Sequence, residues 1–166
     1  MNKTADFTDF RTETAAHPIA ALKPIFQNIL APTDFSRRSD IAVAYAVELA
    51  RKMHGQLTIL HVFPEPSVFD YNVGGFSRED CAQSKEEAEE KLAGALAHVK
   101  LTFPEVDAIL RTGLDVDDEI VRAAKNISAD LLVLSTHGYT GWKHLLLGSD
   151  AERILQHAPC PLLIVR

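Results

Sequence analysis

Five short apolar runs alternate with four amphipathic stretches between Phe26 and Arg166, and that alternation constrains the fold more than any other feature. Asn28-Ile29-Leu30-Ala31 is the first run and ends at Pro32. A turn, Thr33-Asp34-Phe35-Ser36, leads into a helical pattern from Arg38 to His54 with Ala42, Ala46, Leu49 and Ala50 on one face. Gly55 is expected to close that helix, as a residue that tolerates positive φ. Leu57–Val62 reads as the second strand and Val106–Arg111 as the third. Between them Ala88, Leu92, Ala95, Leu96 and Val99 mark a helix whose Lys85–Lys91 side is a charged, solvated face. Ile120, Ala123, Ala124 and Ile127 mark the next helix, and Leu131–Leu134 is a continuous run suited to a central strand buried on both faces. Ala151–His157 is the fourth helix and Pro161–Val165 the last strand.

Such alternation defines an α/β fold with an open five-stranded parallel sheet and helices on both faces. Right-handed crossovers leave few doubly wound orders, of which 3-2-1-4-5 is expected. Its switch point falls between strands 1 and 4. Ligands of open parallel sheets bind outside the carboxyl ends of the strands at that point. Pro32–Ser36 and Ser135–Ser149 therefore face one crevice.

The second of these segments reads Ser135-Thr136-His137-Gly138, then nine residues, then Gly148-Ser149. A glycine such as Gly138 lets backbone approach an anion without an intruding Cβ. Gly148-Ser149 opens the fourth helix, whose free N–H groups and dipole favour phosphate. Ser149-Asp150-Ala151-Glu152 is equally a capping box that stabilises the helix start by itself. Asp34 can accept hydrogen bonds from a ribose or an exocyclic amine, or can serve the turn and the helix cap. No G-x-x-x-x-G-K-[ST] occurs, and the turn after strand 1 has no glycine. A P-loop and the dinucleotide fingerprint are both excluded.

Taken together, Asn28–Ser36, Leu60-His61-Val62 and Gly138…Gly148-Ser149 resemble the universal stress protein family over about Phe26 to Arg166. One branch of that family binds ATP through G-x-x-G, nine residues, then G-[S/T]; another lacks the motif. The resemblance implies that Pro32, Thr33, Asp34 and Val62 surround an adenosine. It places Leu134, Ser135, His137 and Gly138 along ribose and phosphates, and Gly148, Ser149 and Asp150 at the phosphates. Ser135 stands where the motif has its first glycine, and Asp150 adds a carboxylate beside Ser149. Asp150 either points away at the helix start or meets phosphate through a bridging Mg²⁺ or Mn²⁺. The resemblance also implies a homodimer through Pro161–Val165, an apolar strand whose place at the sheet edge invites pairing.

Composition bounds the rest. A net charge of −6 with scattered basic residues argues against a nucleic-acid partner. No stretch approaches the roughly 20 apolar residues of a membrane span. Cys81 and Cys160 form no C-x-x-C pair, and Cys160, between two prolines, reads as structural. Residues 1–24 read as an N-terminal extension without a secretory pattern, with a short helix near Ile19–Leu22, ahead of a domain spanning 25–166. A reduced, cytoplasmic protein is expected. Phe63–Asp80 reads as a long loop, either a lid or a disordered connection, and Trp142 as a shield for phosphates or part of an interface. His61 reads as a histidine positioned by backbone, and no histidines have short metal-ligand spacing. Three functions follow in order: an ATP-binding dimeric switch with little or no hydrolysis, a nucleotide-independent interaction module, and a slow metal-dependent ATPase.

Overall fold

The computed structural model describes residues 26–65, 77–135 and 149–166. The strands are β1 (Asn28–Pro32), β2 (Gln56–Pro64), β3 (Val106–Gly113), β4 (Leu131–Ser135) and β5 (Leu162–Val165). The helices are α1 (Arg37–Met53), α2 (Arg78–Lys100), α3 (Val116–Asn126) and α4 (Ser149–His157). All four strand pairings are parallel, and the order is β3-β2-β1-β4-β5. The doubly wound order expected from the alternation is the observed one.

Each strand divides its side chains between two layers, because successive residues point to opposite faces. Ile29, Ala31, Leu57, Ile59, Leu131 and Val133 form one core with Ala42, Ala46 and Ala50 of α1 and Leu92 of α2. Leu30, Leu60, Val62, Leu132 and Leu134 form the second with Ile120, Ala123 and Ala124 of α3 and Ile154 of α4. Burial on both faces explains why β1 and β4 are continuous apolar runs rather than alternating ones.

The elements end where local chemistry stops them, and several bounds differ from the sequence expectation. β2 continues past Val62 because Phe63 and Pro64 still pair with Thr112 and Gly113 of β3. α2 begins at Arg78, inside the expected loop, because Ser77 and Asp80 exchange a reciprocal capping box. The Ser77 hydroxyl and amide both donate to Asp80, which holds that carboxyl below its ordinary range.

At the end of α1 the roles of two residues are reversed from expectation. His54, not Gly55, takes the left-handed conformation, at φ 55°. Its N–H and that of Gly55 donate back to Arg51 and Ala50, closing the helix as a Schellman motif. Gly55 is needed for a different reason: a Cβ there would lie 2.6 Å from the Phe26 carbonyl oxygen and 2.9 Å from that of Gln27. The chain entering β1 crosses directly over it. That entry is fixed from the other side by Asp130, whose two carboxylate oxygens accept from the amides of Gln27 (2.7 Å) and Asn28 (3.0 Å).

The expected extension over 1–24, Trp142, and residues 66–76 of the expected lid fall outside the described residues. Among the described residues no helix is long and apolar enough to cross a membrane.

Candidate functional site

The carboxyl ends of the inner strands meet at the switch point where the crevice is expected. β1 lies between β2 and β4, so the connections leaving β1 and β4 diverge at this point. α1, which follows β1, covers the face shared with α2, while α3 and α4 cover the other. Pro32 closes β1 opposite Leu60, Val62 extends two residues further along β2, and Ser135 closes β4 opposite Val165. The structure thus brings Pro32, Thr33, Asp34, Val62, Leu134 and Ser135 to the carboxyl end of the sheet.

The turn from β1 into α1 is a closed hydrogen-bonded unit. The Thr33 amide donates to the Leu60 carbonyl at 2.7 Å, carrying the β1–β2 ladder one residue past the strand. The Thr33 hydroxyl accepts from the Phe35 amide at 3.0 Å and lies 3.0 Å from the Ser39 hydroxyl. Ser39 uses its own proton on the Ser36 carbonyl at 2.8 Å, so Thr33 is the donor of that hydroxyl pair. Asp34 Oδ1 accepts from the Ser36 amide at 3.0 Å, an Asx turn, and the Ser36 hydroxyl caps α1 by accepting from the Ser39 amide.

Thr33 is only 7% exposed, and its amide, carbonyl and hydroxyl each have a partner within the protein. It serves as the framework of the turn. Asp34 is the acidic side chain that the turn carries, half-buried beside the start of α1.

His61 ties this turn to β2. Its Nδ1 lies 2.8 Å from the Thr33 carbonyl oxygen, and its ring centroid is 4.3 Å from that of Phe35. A carbonyl can only accept, so Nδ1 carries the proton. Burial pulls the imidazole below its ordinary value of 6.5; the Thr33 bond and the nearby Asp34 oppose that shift, and Lys91 of α2 reinforces it. Phe35 itself has φ 61°, a conformation unfavourable for a bulky residue. The ring contact and the Thr33 bonds hold it there. Ser39 carried no periodic or motif signal in the sequence, and its part in the turn emerges only from the fold.

On the other side of the crevice, Leu134 is buried against the α3 layer and Ser135 is half-buried. His137, Gly138 and Gly148 lie outside the described residues, as do the side chains of Ser149 and Asp150. The backbone of Ser149 and Asp150 forms the first two positions of α4, earlier than the expected Ala151.

A cavity of about 360 Å³ occurs elsewhere, lined by Arg51, His54, Gly55, Phe103, Pro104 and Glu105 among others. These residues precede β2 and β3, so it opens at the amino end of the sheet, away from the switch point. Arg51 is already engaged there by Glu48 and by the Thr102 carbonyl.

A doubly wound parallel sheet with its crevice at the β1/β4 switch point defines a class of small α/β proteins that receive ligands at strand ends. Within that class the chain belongs to the universal stress protein family, whose model matches residues 25–166. It is 34% identical to a universal stress protein of Thermus aquaticus over 142 residues, 86% of this chain and all of that one. Among solved structures it is similar in fold to a universal stress protein from Archaeoglobus fulgidus in complex with dAMP. That match has a TM-score of 0.61 at 22% identity, covering 86% of this chain and 99% of the other. It is similar also to a universal stress protein in complex with cAMP, with a TM-score of 0.60 at 23% identity, covering 86% and 98%.

Proposed function

We propose that this protein binds an adenine nucleotide, ATP in the first instance, in the crevice at the β1/β4 switch point, and acts as a nucleotide-dependent dimeric switch with little or no hydrolysis. The observation that carries this reading is the meeting of Pro32–Asp34, Val62 and Leu134–Ser135 at the carboxyl end of the sheet. The Gly138…Gly148-Ser149 spacing follows Ser135 directly in the sequence. Adenosine would rest against Pro32 and Val62 with Asp34 accepting from the ribose. Phosphates would run past Ser135, His137 and Gly138 to Gly148, Ser149 and Asp150, where backbone N–H groups stabilise negative charge. The dAMP and cAMP complexes of related folds support a nucleotide of this kind.

The switch reading adds self-association through β5. This strand is at the sheet edge, and Ile164 on it is 47% exposed. An exposed apolar edge strand is a template for pairing with a second copy.

Calorimetric titration of nucleotide-stripped protein with ATP, with and without Mg²⁺, tests the proposal. One saturable site per chain, weakened by Asp34→Ala, is the expected result. A requirement for Mg²⁺ would assign Asp150 a metal-bridged contact. Absence of binding under both conditions would mean that Ser135 and Asp150 have closed the site, leaving a nucleotide-independent interaction module.

A further inference from the structure

We infer that His61 is the positioning residue of the nucleotide crevice: its Nδ1–H, bonded to the Thr33 carbonyl, locks the β1–α1 turn so that Asp34 is presented at the strand ends. This inference rests on the reading of that crevice as the nucleotide site, and it concerns how the site is held rather than what fills it.

Three observations converge on His61. The Thr33 carbonyl follows the last β1 residue, and its direction sets the path of Asp34, the next residue in the chain. The 2.8 Å bond from Nδ1 fixes that direction from a neighbouring strand. The ring also lies 4.3 Å from Phe35, so one side chain grips the turn on both sides of Asp34. Phe35 has positive φ without being glycine, a strain that the surrounding contacts must offset. Backbone strain of this kind persists only where neighbours over-determine it. The rest of the turn is bonded internally through Thr33, Ser36 and Ser39. Two bonds join it to β2, the Thr33 amide to the Leu60 carbonyl and His61 Nδ1–H to the Thr33 carbonyl.

His61 would touch no part of the nucleotide. Its effect is transmitted through Thr33 and Phe35, and this separates it from a contact residue by measurement.

The test pairs two substitutions with two readouts on the full chain. His61→Phe keeps a ring against Phe35 and removes the donor; His61→Asn restores an N–H near the Nδ1 position and removes the ring. In nucleotide-free protein, exchange of the Phe35 and Ser36 amides is expected to accelerate about tenfold in H61F, the scale of one net hydrogen bond. Amides of Leu30 and Ile59 in the core strands should be unchanged, and H61N should return the turn to near wild-type protection. The dissociation constant for ATP should follow the same order, rising about tenfold in H61F and recovering in H61N. Nitrogen-detected NMR of the wild type should show the Nδ1–H tautomer, which keeps the inference testable if H61F fails to fold.

Unchanged turn exchange in H61F, or an Nε2–H tautomer in the wild type, would overturn the role assigned to His61. Wild-type protein that binds no ATP while the exchange pattern holds would overturn the functional reading and leave the positioning role supported.

Discussion

Burial gives His61 a titration signature that can be read in stability. Its folded value lies below 6.5, so the unfolded chain takes up a proton first as the pH falls. Stability is therefore full above pH 6.5 and is lost from there down to the folded value, below which the loss levels off. Urea denaturation at pH 7.5 and 5.5 should show wild type losing more stability than H61F; equal losses would mean that the acid sensitivity arises elsewhere. Gly55 offers a second test at this scale. Gly55→Ala forces a Cβ against the Phe26 and Gln27 carbonyls, where backbone must shift, and should cost about 1–3 kcal/mol in a denaturant titration. A neutral substitution would show that the entry to β1 relaxes freely. The sequence marks Gly55 as a helix stop, and it is one by position. Its physical reason, a strand crossing over it, depends on residues nearly thirty positions away and has no local signal.

At the scale of elements, the proposed self-association turns on β5. Leu163 points into the core shared with α1, whereas Ile164 faces outward. A charge at Leu163 would confound unfolding with dissociation, so Ile164→Lys is the cleaner substitution. Sedimentation should report a dimer for wild type and a monomer for I164K with native circular dichroism; a dimeric I164K would place the interface elsewhere. Every strand and helix described here was legible from periodicity, because burial on two faces writes continuous apolar runs and amphipathic helices repeat every three to four residues. The ends were less legible. β2 and β3 run past their apolar runs because ladder bonds continue through Phe63, Pro64, Thr112 and Gly113 whatever the side chains.

For the whole molecule, the location of the proposed site follows from topology: once the order 3-2-1-4-5 is reached, the carboxyl ends of β1 and β4 form the switch point of the described sheet. Composition and spacing reached that far. They reached His61 as a histidine positioned by backbone but not its partner Thr33 or the Thr33–Ser39 pair, since hydrogen bonds between residues up to 28 apart leave no period to read. The molecule thus presents two ends to compare, a switch-point crevice and an amino-end cavity lined by Arg51, His54 and Glu105. Titrating isotope-labelled protein with AMP and following amide and methyl shifts distinguishes them directly. Saturable changes at Thr33, Asp34, Ser36, Val62, Leu134 and Ser135, with His54, Gly55, Thr102 and Glu105 unmoved, are the expected result. Changes confined to the amino-end residues, or none at any concentration, would contradict an adenine-nucleotide site at the switch point.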